Sequence, residues 1–162
     1  RTPEFLGRKV EAREMKIATL VVLLHPFLIL VGTGISAAVA AANPEIGWLN
    51  NPSFHGLSEM LYEYTSSAAN NGSGFEGLAD NTPFWNFSTG IALIMGRYFP
   101  IVGQVAIAGL LASKKCIPES AGTLRTDTGT FSLITFAVII IVAALSFFPA
   151  LALGPIADYL TF

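Results

Sequence analysis

The stretch "TSSAANNGSGF", Thr65 to Phe75, decides how the rest of the chain is read. It is small, polar, uncharged and rich in glycine, yet 52% of the 162 residues around it are hydrophobic and only 12% are charged. A mean hydropathy of +0.60 lies well outside the balance of water-soluble domains, so this chain is written for a membrane. A polar interruption there is either a loop in water or a backbone kept open inside the bilayer for a purpose.

Three apolar runs surround the interruption. Ile17 to Ala42, 26 residues with no charged side chain other than the titratable His25, exceeds the roughly 20 needed to cross a hydrocarbon core about 30 Å thick. Pro83 to Ala112 is as long but carries Gly96, Arg97, Pro100 and Gly103, which weaken, charge or kink a helix, so it is expected to span with a bend. Thr130 to Leu153 contains "FAVIIIVAALSFF" and is apolar all round, as a lipid-facing or bundle-packed helix is. Pro149 is expected to kink or end it near Gly154-Pro155.

Charge placement sets the orientation, because helical membrane proteins keep Lys and Arg in their cytoplasmic loops. Of nine basic residues, five lie in Arg1 to Lys16, three are Lys114, Lys115 and Arg125, and the last is Arg97 within the second run. Asn43 to Thr82 and the tail 154–162 contain none, while carrying Glu45, Glu59, Glu63, Glu76, Asp80 and Asp158. Residues 1–16, an amphipathic segment, and the loop 113–129 are therefore expected on the cytoplasmic side, with 43–82 and the carboxy terminus outside. The single Cys116 lies in that reducing inner loop and reads as a bystander. The opening Arg1-Thr2-Pro3, with neither methionine nor a secretory pattern, reads as part of a longer protein.

Between the first two spans, Asn51-Pro52 reads as a helix start, and the semi-apolar segment that follows is too short to cross. A helix over 56–68 would reach roughly 20 Å into the bilayer at about 1.5 Å per residue. The seven residues Ala69 to Phe75, extended, would climb back about 23 Å at 3.3 Å each. Non-helical backbone at that depth is tolerated only when it is buried in protein or lines a watery path. A cation would complete such carbonyls, Gly72 and Gly74 allow the needed torsions, and the helix's negative end would point at the same place. That is the logic of a potassium-type selectivity filter.

Other readings compete. Gly/Ser/Asn runs are commonly flexible external loops. Asn71-Gly72-Ser73 and Asn86-Phe87-Ser88 match the glycosylation sequon, a pattern that recurs by chance, and the Lys-Ser or Lys-Thr of a phosphate loop is absent. His25, before Pro26, suits a neutral histidine donating to a backbone oxygen better than a metal ligand. His55, Glu59 and Glu63 resemble a ligand set on one helical face, but no HExxH or cysteine cluster accompanies them. A solvated outer rim is preferred for Glu59 and Glu63, and Trp48 and Trp85 suit interfacial anchoring. An intramembrane enzyme lacks a catalytic constellation here.

The segments "RTPEFLGRKVEAREMK", "HGLSEMLYEYTSSAANNGSGF", "NTPFWN", "GRYFPI", "AIAGLLASKK", "GTL" and "FFPALALGPIADYL" cover nearly the whole chain. In that order they resemble the carboxy-terminal quarter of the KdpA family, the potassium-binding subunits of bacterial Kdp potassium-transporting ATPases. The resemblance implies an all-α transmembrane fold of four pseudo-repeats, each a helix, a re-entrant pore helix with filter, and a second helix, in a potassium-channel-like arrangement. One such unit, 17–112, is present here (17–42 first span, 52–68 pore helix region, 69–75 filter, 83–112 kinked second span), followed by a terminal span over 130–153. Carried across residue by residue, Ala69, Asn70, Asn71, Gly72 and Ser73 match the fourth filter segment, with backbone carbonyls holding K+.

The resemblance further implies a non-catalytic subunit that takes K+ from outside and passes it to the P-type ATPase subunit KdpB, which hydrolyses ATP. The other partners it implies are the remaining repeats of the same subunit, KdpC, the small KdpF peptide and membrane lipids of the bacterial inner membrane. No organic cofactor and no nucleic acid are expected. Arg97 matches the arginine of the family's "GR" motif. A charge within a span costs at least about 2.5 kcal/mol on insertion scales, so two roles stay open: setting the field beneath the filter, or a structural arginine at the helix break. Gly74 and Glu76 stand where the family has small neutral residues, and Glu76, with Glu59 and Glu63, is a candidate for the outer mouth. Arg125 and Asp127 replace a common proline and histidine, which leaves inner-loop contacts with partners open.

Overall fold

The computed structural model describes residues 2–118, 123–146 and 148–161. Arg1 of the basic start, positions 119–122 of the inner loop, Phe147 of the third apolar run and Phe162 of the tail lie outside the described residues. The molecule is all-α apart from a small sheet at one end. Its helices are α1 (Ala12–Ala42), α2 (Phe54–Ala69), α3 (Pro83–Ala112), α4 (Gly129–Leu145) and α5 (Phe148–Tyr159). The 31 residues of α1 and 30 of α3 extend about 45 Å each at 1.5 Å per residue, more than a hydrocarbon core requires. Both are apolar enough to cross, and α4 with α5 forms a bent pair that makes a third span if read as one.

α1 starts on a reciprocal cap. Glu11 and Glu14 satisfy each other's backbone, with the Glu11 N–H donating to Glu14 Oε2 at 2.7 Å. Glu14 is buried, 1% exposed, and its Oε2 also takes Lys114 Nζ at 2.8 Å. Lys114 Nζ donates as well to Glu11 Oε2 at 2.9 Å and to the Lys9 carbonyl at 3.0 Å. The hydrogen bonds to Glu14 and then Glu11 hold the Lys114 ammonium above its ordinary range. The segment expected to be simply amphipathic is thus a hairpin, β1 (Thr2–Phe5) and β2 (Arg8–Lys9), turning through Leu6 and Gly7, both at positive φ. β1 also pairs in parallel with β3 (Thr123–Leu124), giving the order β2-β1-β3. Segments 100 or more residues apart in sequence are therefore clasped at the level where α1 begins and α3 finishes.

α2 lies in the centre of the helical unit. Its Met60 and Tyr64 join Trp48, Leu78, Trp85 and Ala92 in one buried cluster, and its Leu61 and Ala68 join Leu28 and Ile29 of α1 in another. Two glycines set the approach. A Cβ on Gly32 of α1 would fall 2.4 Å from the Tyr64 ring, and one on Gly96 of α3 would fall 2.2 Å from the Ala68 carbonyl oxygen. No described residue of α4 is buried. Its outward apolar face is what lipid or other protein would cover.

The third apolar run, expected to span over 130–153 with a kink or end at Pro149, is broken just before that proline, and its two halves are bent by 45°. The helix stops at Leu145 and resumes at Phe148, with Pro149 in the first turn of α5. Proline is tolerated there because first-turn N–H groups have no helical partner. α5 then continues through Pro155 to Tyr159 where a tail was expected. It packs on α2: a Cβ on Gly154 would lie 2.7 Å from both the Phe54 carbonyl oxygen and Ser58 Oγ, and His55 Nε2 meets Asp158 Oδ2 at 3.3 Å.

Candidate functional site

α2 ends by a definite device. Asn70 sits in the left-handed region, φ 60° and ψ 35°. Its N–H bonds the Ser67 carbonyl at 3.1 Å, and the Asn71 N–H bonds the Ser66 carbonyl at 3.0 Å. This is the paired closure of a Schellman motif, usually made with glycine; asparagine also tolerates the left-handed region. Here its side chain is held too. Asn70 Nδ2 donates to the carbonyls of Ala68 and Leu93, both at 3.3 Å, and Oδ1 accepts from Arg97 Nε at 2.9 Å. α3 therefore fixes where the chain leaves α2.

From that point the chain doubles back beside the helix. The Ser73 N–H donates to Ser66 Oγ at 2.8 Å, and Ser73 Oγ lies 3.0 Å from Tyr62 Oη and 3.2 Å from Ser66 Oγ. The Phe75 ring packs 4.7 Å from that of Tyr62. Farther along, the Ala79 N–H bonds the Trp48 carbonyl at 2.8 Å. Residues 71–79 thus run antiparallel to α2 and return to the level of the segment before it. Gly72 takes φ +75°, with open space where a Cβ would point. Among the described residues, no hydrogen bond reaches the carbonyl oxygens of Asn70, Asn71, Gly72 or Ser73. Four successive acceptors keep their lone pairs beside the carbonyl end of a helix, where negative partial charge gathers.

The remaining expected site residues separate by environment. Ala69 is exposed at the last position of α2, and Arg97 is exposed on α3, its Nε spent on Asn70. Glu63 is half-buried, with Ser67 Oγ 3.4 Å from its Oε1 and Gly74 against its Oε2. Glu76 is exposed and lines a shallow cleft with Asn51, His55, Ser58, Glu59 and Phe75. Glu59 does not sit on a solvated rim. It is buried, 4% exposed, and accepts from the N–H groups of Asn50 and Asn51 at 3.1 and 2.9 Å and from Asn51 Nδ2 at 3.0 Å. Donors from the turn before α2 replace the water its charge would otherwise need.

Three hydroxyls escaped the sequence reading. Tyr64, 2% exposed, donates its phenol to Ser88 Oγ of α3 at 2.8 Å and receives Ser36 Oγ of α1 at 3.0 Å. Each helix of the unit contributes one oxygen to this knot. The signal was present: Ser36 and Ser88 are polar outliers in long apolar runs, where unpaired hydroxyls are costly. The Ser66–Ser73 pair was equally legible in principle, as two serines flanking the turn. Among the described residues, no three of His, Cys, Asp and Glu gather as a metal-binding group. The oxygens clustered at the turn are backbone, hydroxyl and amide groups, with the Glu63 carboxylate against Gly74.

The family model described as KdpA, potassium-transporting ATPase A subunit, matches residues 1–160. The chain is 73% identical over 164 residues to the potassium-transporting ATPase potassium-binding subunit of Parabacteroides distasonis, covering 98% of this chain and 29% of that protein. It is 72% identical over 166 residues to the subunit of the same name from Phocaeicola vulgatus, with 99% and 29% covered. A more distant relative of that name, from Geobacillus kaustophilus, is 55% identical over 161 residues, with 99% and 28% covered. The chain thus spans under a third of the length of the curated relatives it matches. With nearly every residue inside the family model and identities this high, the chain belongs to the KdpA family.

Proposed function

We propose that this chain is the carboxy-terminal quarter of a potassium-binding, channel-like subunit, and that it supplies the fourth segment of a K+ filter. The observation that carries the reading is the run of four unpaired carbonyls, Asn70 to Ser73, on an ascent folded back against α2. Hard alkali cations take oxygen ligands, and carbonyl rings that replace the hydration shell select among them. One quarter of a ring cannot close such a cage; the remaining repeats of the subunit complete it. The names of the relatives support K+ as cargo.

In this reading the subunit has no hydrolytic chemistry of its own. K+ enters from outside the bacterial inner membrane and passes to the P-type ATPase subunit KdpB, with KdpC and KdpF completing the complex. The basic start and the loop 113–129 face the cytoplasm, and 43–82 faces outward. Arg97, bonded to Asn70 at the foot of the turn, both braces the filter and places a positive charge at its inner end. The test is Gly72→Ser in the full-length subunit within the complete complex. A side chain at positive φ costs about 1–2 kcal/mol, so K+ affinity is expected to fall about tenfold and discrimination against Rb+ to shrink. Unchanged affinity and unchanged discrimination would remove the filter role.

A further inference from the structure

Proline at position 100 removes an N–H from the interior of α3, and the carbonyl four residues earlier, that of Gly96, loses its helical donor. An orphaned carbonyl inside a membrane is costly and is normally re-satisfied by a neighbouring helix. Here the neighbour is α1: His25 Nε2 lies 3.2 Å from the Gly96 oxygen. A carbonyl only accepts, so the imidazole must donate, which fixes the proton on Nε2. Gly96 is also where α3 touches the end of α2, its Cα hydrogens lying against the Ala68 carbonyl, and the next residue, Arg97, holds Asn70. A single stretch of α3 is thus bonded to α1 on one side and sets the turn into 70–73 on the other.

We infer that His25 is a positioning residue for the ion site: its Nε2–H supplies the hydrogen bond that Pro100 withholds, and so fixes the Gly96-Arg97 step against which the turn at Asn70 is built. The positioning rests on the filter reading of 70–73, whereas the His25–Pro100 complementarity does not. Any donor of similar reach should serve, and restoring the N–H at position 100 should make the donor dispensable.

The experiment uses the complete complex carrying the full-length subunit, with His25→Leu, His25→Gln, Pro100→Ala and the His25→Leu/Pro100→Ala pair. Melting temperature and K+ over Rb+ discrimination are read for each. His25→Leu should lower the melting temperature and cut discrimination by roughly threefold, the scale of one interhelical hydrogen bond in a membrane. His25→Gln, which keeps an N–H, should retain both. In the Pro100→Ala background, removing His25 should cost much less than it does alone. Equal damage from Leu and Gln, no effect of Leu, or a His25→Leu cost that Pro100→Ala leaves unchanged would each overturn the inference. Coupling in melting temperature with discrimination untouched would overturn the positioning role. Insensitivity of discrimination to Gly72→Ser would instead count against the filter.

Discussion

α2 and α4 are near neighbours in length, 16 and 17 residues, and opposite in character. α4 is the most apolar helix of the chain, and none of its described residues is buried. α2 is mixed, with Glu59, Ser66 and Ser67 buried among Met60, Leu61 and Tyr64. In water the apolar helix would be the core and the mixed one the surface. Where lipid is the solvent, burying apolar area gains little, and the interior is chosen by hydrogen bonding and close backbone approach. The polar groups of α2 are inside because they have partners there, and from its carbonyl end the loop 70–79 returns along it.

That contrast predicts which substitutions will matter. The largest effect is expected from Gly96→Ala, whose methyl would meet the Ala68 backbone oxygen at 2.2 Å. Backbone cannot swing aside, and overpacking of this kind costs about 1–3 kcal/mol or more. A complex that keeps its melting temperature with alanine there would break the claim that α3 sets the turn. Next comes Glu59→Gln. Its carboxylate accepts three N–H groups, and an amide retains one accepting oxygen while adding unpartnered donors, for a loss of about 2 kcal/mol. A solvated rim residue would give no measurable change.

Tyr64→Phe sharpens the comparison further. It keeps the ring packing and removes only the oxygen shared by Ser36 and Ser88, so about 1 kcal/mol is expected. Thermal denaturation of the purified complex is the readout for all of these. At the bottom of the scale lies Ile139→Ala on α4. That side chain is 59% exposed, and in lipid its truncation should change stability by under about 0.5 kcal/mol. A loss comparable to that at Gly96 would show that α4 is packed against protein there, and would erase the distinction between the two helices.

The fold class was legible because span length and apolar composition depend on the bilayer alone. Ile17 to Ala42 needs no knowledge of its neighbours to be read as a crossing helix. The turn at 69–75 was legible because polar residues and glycines stand out against a greasy background. The environment of Glu59 was not, since a carboxylate at that position suits water or a pair of backbone donors equally well. Only the path of Asn50 and Asn51 decides between them. α5 escaped for a similar reason. Its continuation through Pro155 reflects a docking contact with Phe54 and Ser58, far away in sequence.

The most direct test is to locate the ion. The full-length subunit in its complete complex, loaded with Rb+ or Tl+ as a heavy stand-in for K+, should give anomalous density in contact with the carbonyl oxygens of residues 70–73. Loss of that density in Gly72→Ser, with the rest of the fold unchanged, would complete the expected result. Ion density elsewhere in the complex, with these carbonyls turned to lipid or to bulk water, would contradict it.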